Sequence, residues 1–505
     1  MVLLTQIDKP LRWLTASIAL CLALAALPAL AENIEKRTWH DASSENFRIK
    51  TVLGEGRTVE LLRHLEIMRA SLGHHEDNTI SAAARPTIIV AVDQRDDYVS
   101  IGAPAYTAGF FFSDLRENAI LIEDSDGSSG VQVILHEYAH YLNRQTGRIR
   151  YPRWYEEGSA EYLSHSRVTA QSFEYALAPQ QHLTTLGFNN WMPLPELLAV
   201  SDTSALTELN GALYYAQSWL LVHYLRSLPD ADLNIPVQLR KFAELAATGA
   251  PPPAAFAEAF ALDLERLEED LLRYYLERQF TTRVIPVNTA LPGFSPQFRE
   301  MSRAEVMLAL ARMAVRFENT EGAEQWFRQV LGDAELRAYA EAGLGRIAGF
   351  SGDIEAASER FETAIYLMAW DFSIWMDYAQ YWAQRVSTSQ THKERLHHAE
   401  RLIEALQSAL TVADATPELN SLMGFAYLAK GEKPLEAIEY LEAAAAAAPH
   451  DQASRLLLAN AYLFVGKPDE AKRIAEAVLR FEHEPNLVTN AAHEVIDDAR
   501  RQGAL

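Results

Sequence analysis

The segment "VILHEYAHYL" carries two histidines four residues apart, His136 and His140, with Glu137 directly after the first. On a helix, positions i and i+4 share a face, so the two imidazoles could reach one metal ion. Glu137 projects at a different angle, which suits a base acting on metal-activated water rather than a ligand. Two histidines do not complete a catalytic zinc site, which needs three protein ligands and an open position. The same spacing also arises by chance in core helices. The rest of the chain must therefore supply a third ligand and a fold that holds it.

A chain of 505 residues is too long for one hydrophobic core, and length alone suggests roughly three domains. The formal charge of −23 excludes the basic surface that nucleic acid requires, and equally a polybasic attachment to anionic lipid. Lys9 and Arg12 precede the apolar run "WLTASIALCLALAALPAL", which ends in Ala29-Leu30-Ala31. A basic flank, a short apolar core and an A-x-A site describe a secretory signal peptide over residues 1–31, with an uncleaved anchor as the alternative. The one cysteine, Cys21, follows Leu20 rather than a small residue, which argues against a lipid anchor. Cleavage after Ala31 leaves a chain without cysteine, compatible with an oxidising compartment but with no disulfide to brace it. The expectation is export across the inner membrane to the periplasm, with no further membrane span.

The elements that must position the histidines begin near residue 47. "NFRIKTVL" and "RPTIIVAV" read as strands, with a helical "TVELLRHLEIMRASLG" between them. "AGFFFSD" and "NAILIEDSDG" read as a strand pair, after which the chain turns helical and carries His136 to His140. Proline-rich punctuation at "PPPAAF" and "TALPGFSP" marks boundaries, the second near residue 295. Beyond it the pattern repeats: Ala323, Phe327 and Val330 recur 34 residues later as Ala357, Phe361 and Ala364, and Ala437 recurs as Ala471. That period predicts tetratricopeptide (TPR) repeats, helix pairs stacked into a solenoid with a concave face for protein partners. Residues 372–416 read as a degenerate repeat with an inserted loop at "STSQTHKER", and His397-His398 as solvated.

Downstream of His140, "YPRWYEEGSAEYL" follows the HEYAH segment. Together the two motifs resemble the peptidase MA-like group of gluzincins, relatives of thermolysin and aminopeptidase N. The resemblance covers about residues 45 to 285. It implies an α+β zincin-like metallopeptidase domain over residues 32–295, with a small mixed sheet and a helical subdomain, followed by an all-α TPR solenoid over 296–505. It assigns His136 and His140 as histidine ligands of one zinc ion per chain, Glu137 as catalytic base and Glu157 as third ligand. Glu156 is the rival for that ligand. Glu161 lies one turn beyond Glu157 on the same face and is placed to accept the free N–H of a ligand histidine. In "GALYYAQSWLLVHYL", Tyr214, Tyr215 and His223 are the candidates to stabilise an oxyanion, and the resemblance favours Tyr215.

The expected activity is hydrolysis of peptide bonds in a protein or peptide substrate by a zinc-activated water. Substrate would add as a strand to a sheet edge, at "NAILIE" or alternatively at "GFFFSD". The amine-binding G-x-M-E-N segment of the aminopeptidases has only "REN" at Arg116 to Asn118 as a counterpart, which favours an endopeptidase. The alternatives are a periplasmic assembly factor or chaperone, or a non-catalytic TPR interaction protein that keeps the zincin scaffold.

Overall fold

The computed structural model describes residues 33–75, 86–105, 107–125, 129–145, 151–169, 171–201, 206–228, 234–247, 249–286, 293–479 and 487–503. The expected signal peptide lies outside them. Among the described residues no helix is long and apolar enough to cross a membrane.

A six-stranded mixed sheet opens the body of the chain. Strands β1 (His40–Ser43), β2 (Phe47–Thr51), β3 (Thr87–Val92), β4 (Gly109–Ser113) and β5 (Asn118–Glu123) are joined by β9 (Gln297–Glu300) in the order β4-β5-β3-β2-β1-β9. β2, β3 and β5 run parallel, and β4 turns back antiparallel on β5. Every residue of β5 is buried, as an interior strand covered on both faces must be. "NAILIE" is therefore not an edge, and the expectation that it receives substrate is corrected: the edge strand is β4, "GFFFS". β9 comes from beyond residue 295 and pairs with β1, so the sheet takes its last strand from the far side of the proline-rich segment.

Helices α1 (Glu55–His75) and α2 (Arg95–Ile101) link the strands, and α3 (Ser129–Gln145) carries the HEYAH segment. Ile134, Leu135, Tyr138, Ala139 and Leu142 of α3 enter the main core, leaving His136 and Glu137 half-buried on another side. α4 (Arg153–Ser164) follows, then a small sheet of β6 (Arg167–Val168), β7 (Ser172–Tyr175) and β8 (Arg283–Pro286). Helices α5 (Gln180–Phe188), α6 (Leu194–Ala199), α7 (Glu208–Ser227), α8 (Ile235–Ala247), α9 (Pro252–Phe260) and α10 (Leu264–Glu277) complete this half. α4 and α7 cross closely at Gly158, where a Cβ would lie 2.3 Å from the Ser218 carbonyl oxygen. Only glycine fits there.

From Arg303 the chain is a succession of antiparallel helix pairs: α11 (Arg303–Arg316) with α12 (Thr320–Val330), α13 (Arg337–Phe350) with α14 (Ile354–Met368), and α15 (Phe372–Thr388) with α16 (His392–Leu410). α17 (Pro417–Lys430) pairs with α18 (Pro434–Ala447), α19 (Gln452–Phe464) with α20 (Pro468–Leu479), and α21 (Leu487–Gly503) packs on the last pair. The recurring Ala323, Phe327, Val330 and Ala357, Phe361, Ala364 are all buried between helices. The loop expected at "STSQTHKER" is mostly helix instead. Thr391 and Glu394 form a capping box that starts α16 almost at once, so the irregular repeat has long helices rather than an insertion. His398, expected to be solvated, is buried, its Nδ1 near both Ser389 Oγ at 2.9 Å and the Arg385 carbonyl at 3.1 Å.

The first helices of the leading pairs face the sheet. Arg116, in the β4–β5 turn, donates to Asp377 Oδ1 of α15 at 2.5 Å and to the Ser373 carbonyl at 3.1 Å. Arg316 of α11 bridges Asp114 and Glu117 of the same turn. A cavity of about 180 Å³ lies at this junction, lined by Arg116, Arg312, Arg316, Arg346 and Asp377 among others. Phe110 and Phe112 pack on Phe317, while Phe111 between them reaches Tyr141 of α3. Part of the surface of the first helices thus holds a turn of the same chain.

Candidate metal centre

α3 and α4 bring His136, His140 and Glu157 together. His136 Nε2 lies 3.2 Å from Glu157 Oε2, His140 Nε2 lies 3.3 Å from the same oxygen, and the two nitrogens are 3.1 Å apart. A tetrahedral ion with ligand bonds of about 2.0–2.2 Å needs its donor atoms roughly 3.3–3.6 Å apart. The three edges, 3.1 to 3.3 Å, form a nearly equilateral triangle just under that size, which a small opening of the side chains would meet. The donor set, two imidazoles and a carboxylate, is chemically suited to zinc. These residues fit the ion.

Two of the three ligand candidates, Glu157 and His136, are themselves held by a further contact. Glu157 Oε1 accepts from Arg153 Nη2 at 3.1 Å, which leaves Oε2 for the histidines. Burial alone would raise the Glu157 pKa, but the hydrogen bonds and charges of His136 and His140 keep it well below the usual carboxylate range. His136 Nδ1–H donates to Glu161 Oε1 at 3.1 Å, so the nitrogen facing away from the triangle also meets a carboxylate. Burial opposes a charge on His136, yet its hydrogen bonds to Glu157 and Glu161 raise its pKa to about 10. Burial likewise opposes ionisation of Glu161, and its hydrogen bonds to His136 and His182 reverse that effect, holding it far below its ordinary value. Glu156, the rival ligand, has its Oε2 3.9 Å from Arg153 Nη1 and stands outside the triangle.

Glu137, directly after His136 on α3, is half-buried, and its carboxylate makes no side-chain hydrogen bond among the described residues. The Tyr215 ring lies 6.1 Å from that of His136 and is partly exposed. Tyr214 is fully buried, and burial together with the Glu157 charge raises its pKa, keeping its hydroxyl protonated. His223 is not at the centre. Its Nε2–H donates to the Ala176 carbonyl at 3.2 Å and its Nδ1 accepts from the Tyr274 hydroxyl at 2.8 Å, which ties it into the α7–α10 core.

Three neighbours were absent from the sequence reading. Arg153 precedes Glu157 by four residues, a spacing legible as an i,i+4 ion pair. His165 stands four residues after Glu161 and caps α4, again a local signal. His182 comes from α5, beyond the β6–β7 hairpin, and meets Glu161 Oε2 at 2.9 Å. Nothing local announces it.

Residues 428–489 match the tetratricopeptide repeat family. No curated protein is similar enough to the chain to count as a relative. Among solved structures, a thermophilic TPR protein from Thermus thermophilus is similar at 18% identity and TM-score 0.31, covering 40% of this chain and 100% of its own. The pilF protein of Pseudomonas aeruginosa is similar at 17% identity and TM-score 0.32, covering 40% of this chain and 87% of its own. Yeast Tom70 aligns over 73% of this chain and 72% of its own, at 11% identity and TM-score 0.31. With the match over 428–489, the helix pairs from Arg303 onward form a TPR-like solenoid, an architecture that serves protein-interaction scaffolds.

Proposed function

We propose that the N-terminal half is a zinc-dependent endopeptidase and that the TPR array recruits the proteins on which it acts. The observation that carries this reading is the nearly equilateral triangle of His136, His140 and Glu157, with Glu137 next to His136 on α3 and Glu161 behind His136. Zinc held there would supply a Lewis acid for the scissile carbonyl and acidify the attacking water. Glu137 would act as the proton carrier, taking a proton from the attacking water and giving it to the leaving nitrogen. Glu161 fixes the His136 tautomer by holding its Nδ1–H. Tyr215 donates to the developing oxyanion. An extended substrate pairs with the edge strand β4, whose Phe111 touches the metal helix at Tyr141. The basic flank and A-x-A site of residues 1–31 support export to the periplasm.

A second reading makes the chain an assembly factor or interaction protein that retains the zincin scaffold without turnover. The family match over 428–489 favours it, as do Tyr366 and Trp370, aromatic side chains 89% and 69% exposed on the outside of the array. Metal analysis of the purified protein beside Glu137→Gln, followed by a protein-substrate cleavage assay, separates the two. The endopeptidase reading expects one equivalent of zinc in the triangle for both proteins and cleavage by wild type only. Equal behaviour of both proteins toward every substrate, with partner binding intact, would leave the scaffold reading.

A further inference from the structure

Behind the triangle, three more side chains converge. Glu161 sends its Oε1 to His136, and its Oε2 turns the other way, toward His182 Nε2 at 2.9 Å and His165 Nδ1 at 3.4 Å. We infer that Glu161, His165 and His182 form a second divalent transition-metal site, one that shares Glu161 with the first centre. This goes beyond the peptidase reading and does not depend on it.

The donor chemistry is that of imidazole and carboxylate, which suits zinc, iron(II), cobalt(II) or nickel(II) and not calcium or magnesium. Of the two edges from Glu161, 3.4 Å falls within the roughly 3.3–3.6 Å that ligand bonds of about 2.0–2.2 Å require, and 2.9 Å is short of it by an amount a small side-chain rotation supplies. All three donor atoms lie within 4.8 Å of one another. The side chains are 13 to 16% exposed, buried enough to be held and open enough for an ion to enter. They come from two elements, α4 and α5, so an ion there would tie the end of one to the start of the other.

One contact competes. His165 Nδ1 also lies 2.9 Å from the Glu161 carbonyl oxygen, so the ring must turn off that oxygen to close the third edge. The cost is small because the carbonyl keeps a partner: the His165 backbone N–H donates to it at 3.3 Å. Ser164 Oγ, 3.5 Å from the same nitrogen, is the remaining polar neighbour.

The consequence is a division of labour within one carboxylate. Its Oε1 supports a ligand histidine of the first centre while its Oε2 takes the second ion. Occupancy of the second site then draws charge from the oxygen pair that holds His136 Nδ1, and the two sites become linked.

Zinc stoichiometry on the full chain tests this, after removal of metal with a chelator and dialysis against zinc. Wild type should hold two equivalents, His140→Gln one, and His182→Gln and His165→Gln one each. The double variant His140→Gln with His182→Gln should hold none. Cobalt(II) absorption should show two sets of d–d bands in wild type and one in each single variant. Because His165 and His182 lie on different elements, a folding defect in one variant leaves the other to decide. A single equivalent in wild type that His140→Gln abolishes overturns the second site and leaves the first standing. Two equivalents unaffected by His165→Gln and His182→Gln also overturn it. Loss of an equivalent on His182→Gln but none on His140→Gln would instead remove the first-centre reading.

Discussion

Replacing Gly158 by alanine sets two effects of opposite sign against each other. In an exposed helix interior the change gains up to about 1 kcal/mol, since glycine gives up more backbone entropy on folding. At Gly158 the added Cβ would lie 2.3 Å from the Ser218 carbonyl oxygen, 2.7 Å from its carbon and 2.7 Å from Val222 Cγ2. Carbon–oxygen contacts settle at about 3.3–3.6 Å, so α4 and α7 would have to part by roughly 1 Å. The nearest obstacle is backbone and cannot rotate aside. Overpacking a core costs about 1–3 kcal/mol, and a backbone obstacle belongs at the upper end. Net of the helix gain, Gly158→Ala should destabilise by about 2 kcal/mol, which in a domain of this size lowers Tm by roughly 4–8 °C. The displaced helix carries Glu157 and Glu161, so zinc affinity should fall as well, on the order of the 10–100-fold that disturbed ligand support costs. Thermal melts and competition with a chromophoric chelator measure both. Gly211→Ala is the control, because nothing lies within 4 Å of its Cβ position on α7. A Gly158→Ala protein that melts at or above wild type, or that keeps full zinc affinity, would refute the reasoning.

Glu157→Gln should weaken zinc binding strongly and Glu156→Gln leave it nearly intact, read by the same chelator competition; the reverse order would move the ligand to Glu156. Tyr215→Phe removes one hydroxyl, and losing an oxyanion donor costs about 3 kcal/mol, so turnover should drop roughly a hundredfold with zinc content and Tm near wild type; damage from Tyr214→Phe instead would reassign the donor. Arg116→Ala removes the nearer of two guanidinium partners of Asp377, which is 10% exposed, while Arg346 stays 3.7 Å away, so the cost in a urea melt should fall below the roughly 3–5 kcal/mol of a fully stranded buried charge. Although burial alone would raise the Asp377 pKa, Arg116, Arg346 and Arg312 hold it below its ordinary value, so its contribution is present above about pH 4 and fades as pH falls through the lowered folded value; an Arg116→Ala penalty that grows as the pH is lowered would contradict that assignment.

The parts of the site legible in the sequence are those whose partners lie within a helical turn or two. His136 with His140, and Glu157 with Glu161, declare themselves by i,i+4 spacing, because a helix turns such pairs to one side whatever surrounds it. The 34-residue echoes are legible for a related reason: each repeat buries Ala323, Phe327 or their equivalents against its neighbours alone. What failed needed long-range information. Whether β5 is an edge depends on where β4 lies, which no local pattern states, although the apolar run of β5 already carries the signature of an interior strand. His182 reaches Glu161 across a hairpin, and His398 is buried by the length of α15, which no local pattern states.

Arg116 shows the same limit in its sharpest form. Beside Glu117 and Asn118, and ahead of the metal helix, it invites comparison with an amine-binding segment. Its guanidinium instead crosses to α15, 261 residues away in sequence, and its high pKa is sustained by Asp377 and Glu418 against the cost of burial. A charged side chain in a strand turn is ordinarily solvated; this one is buried because the solenoid returns to cover it. Tyr141 of α3 stands between Phe111 of β4 and His450 of the α18–α19 loop, so the array meets the metal helix as well as the β4–β5 turn. A peptide laid along the edge of β4 would therefore run beside α11, and whatever binds that face of the array would lie close to the helix that carries His136 and His140.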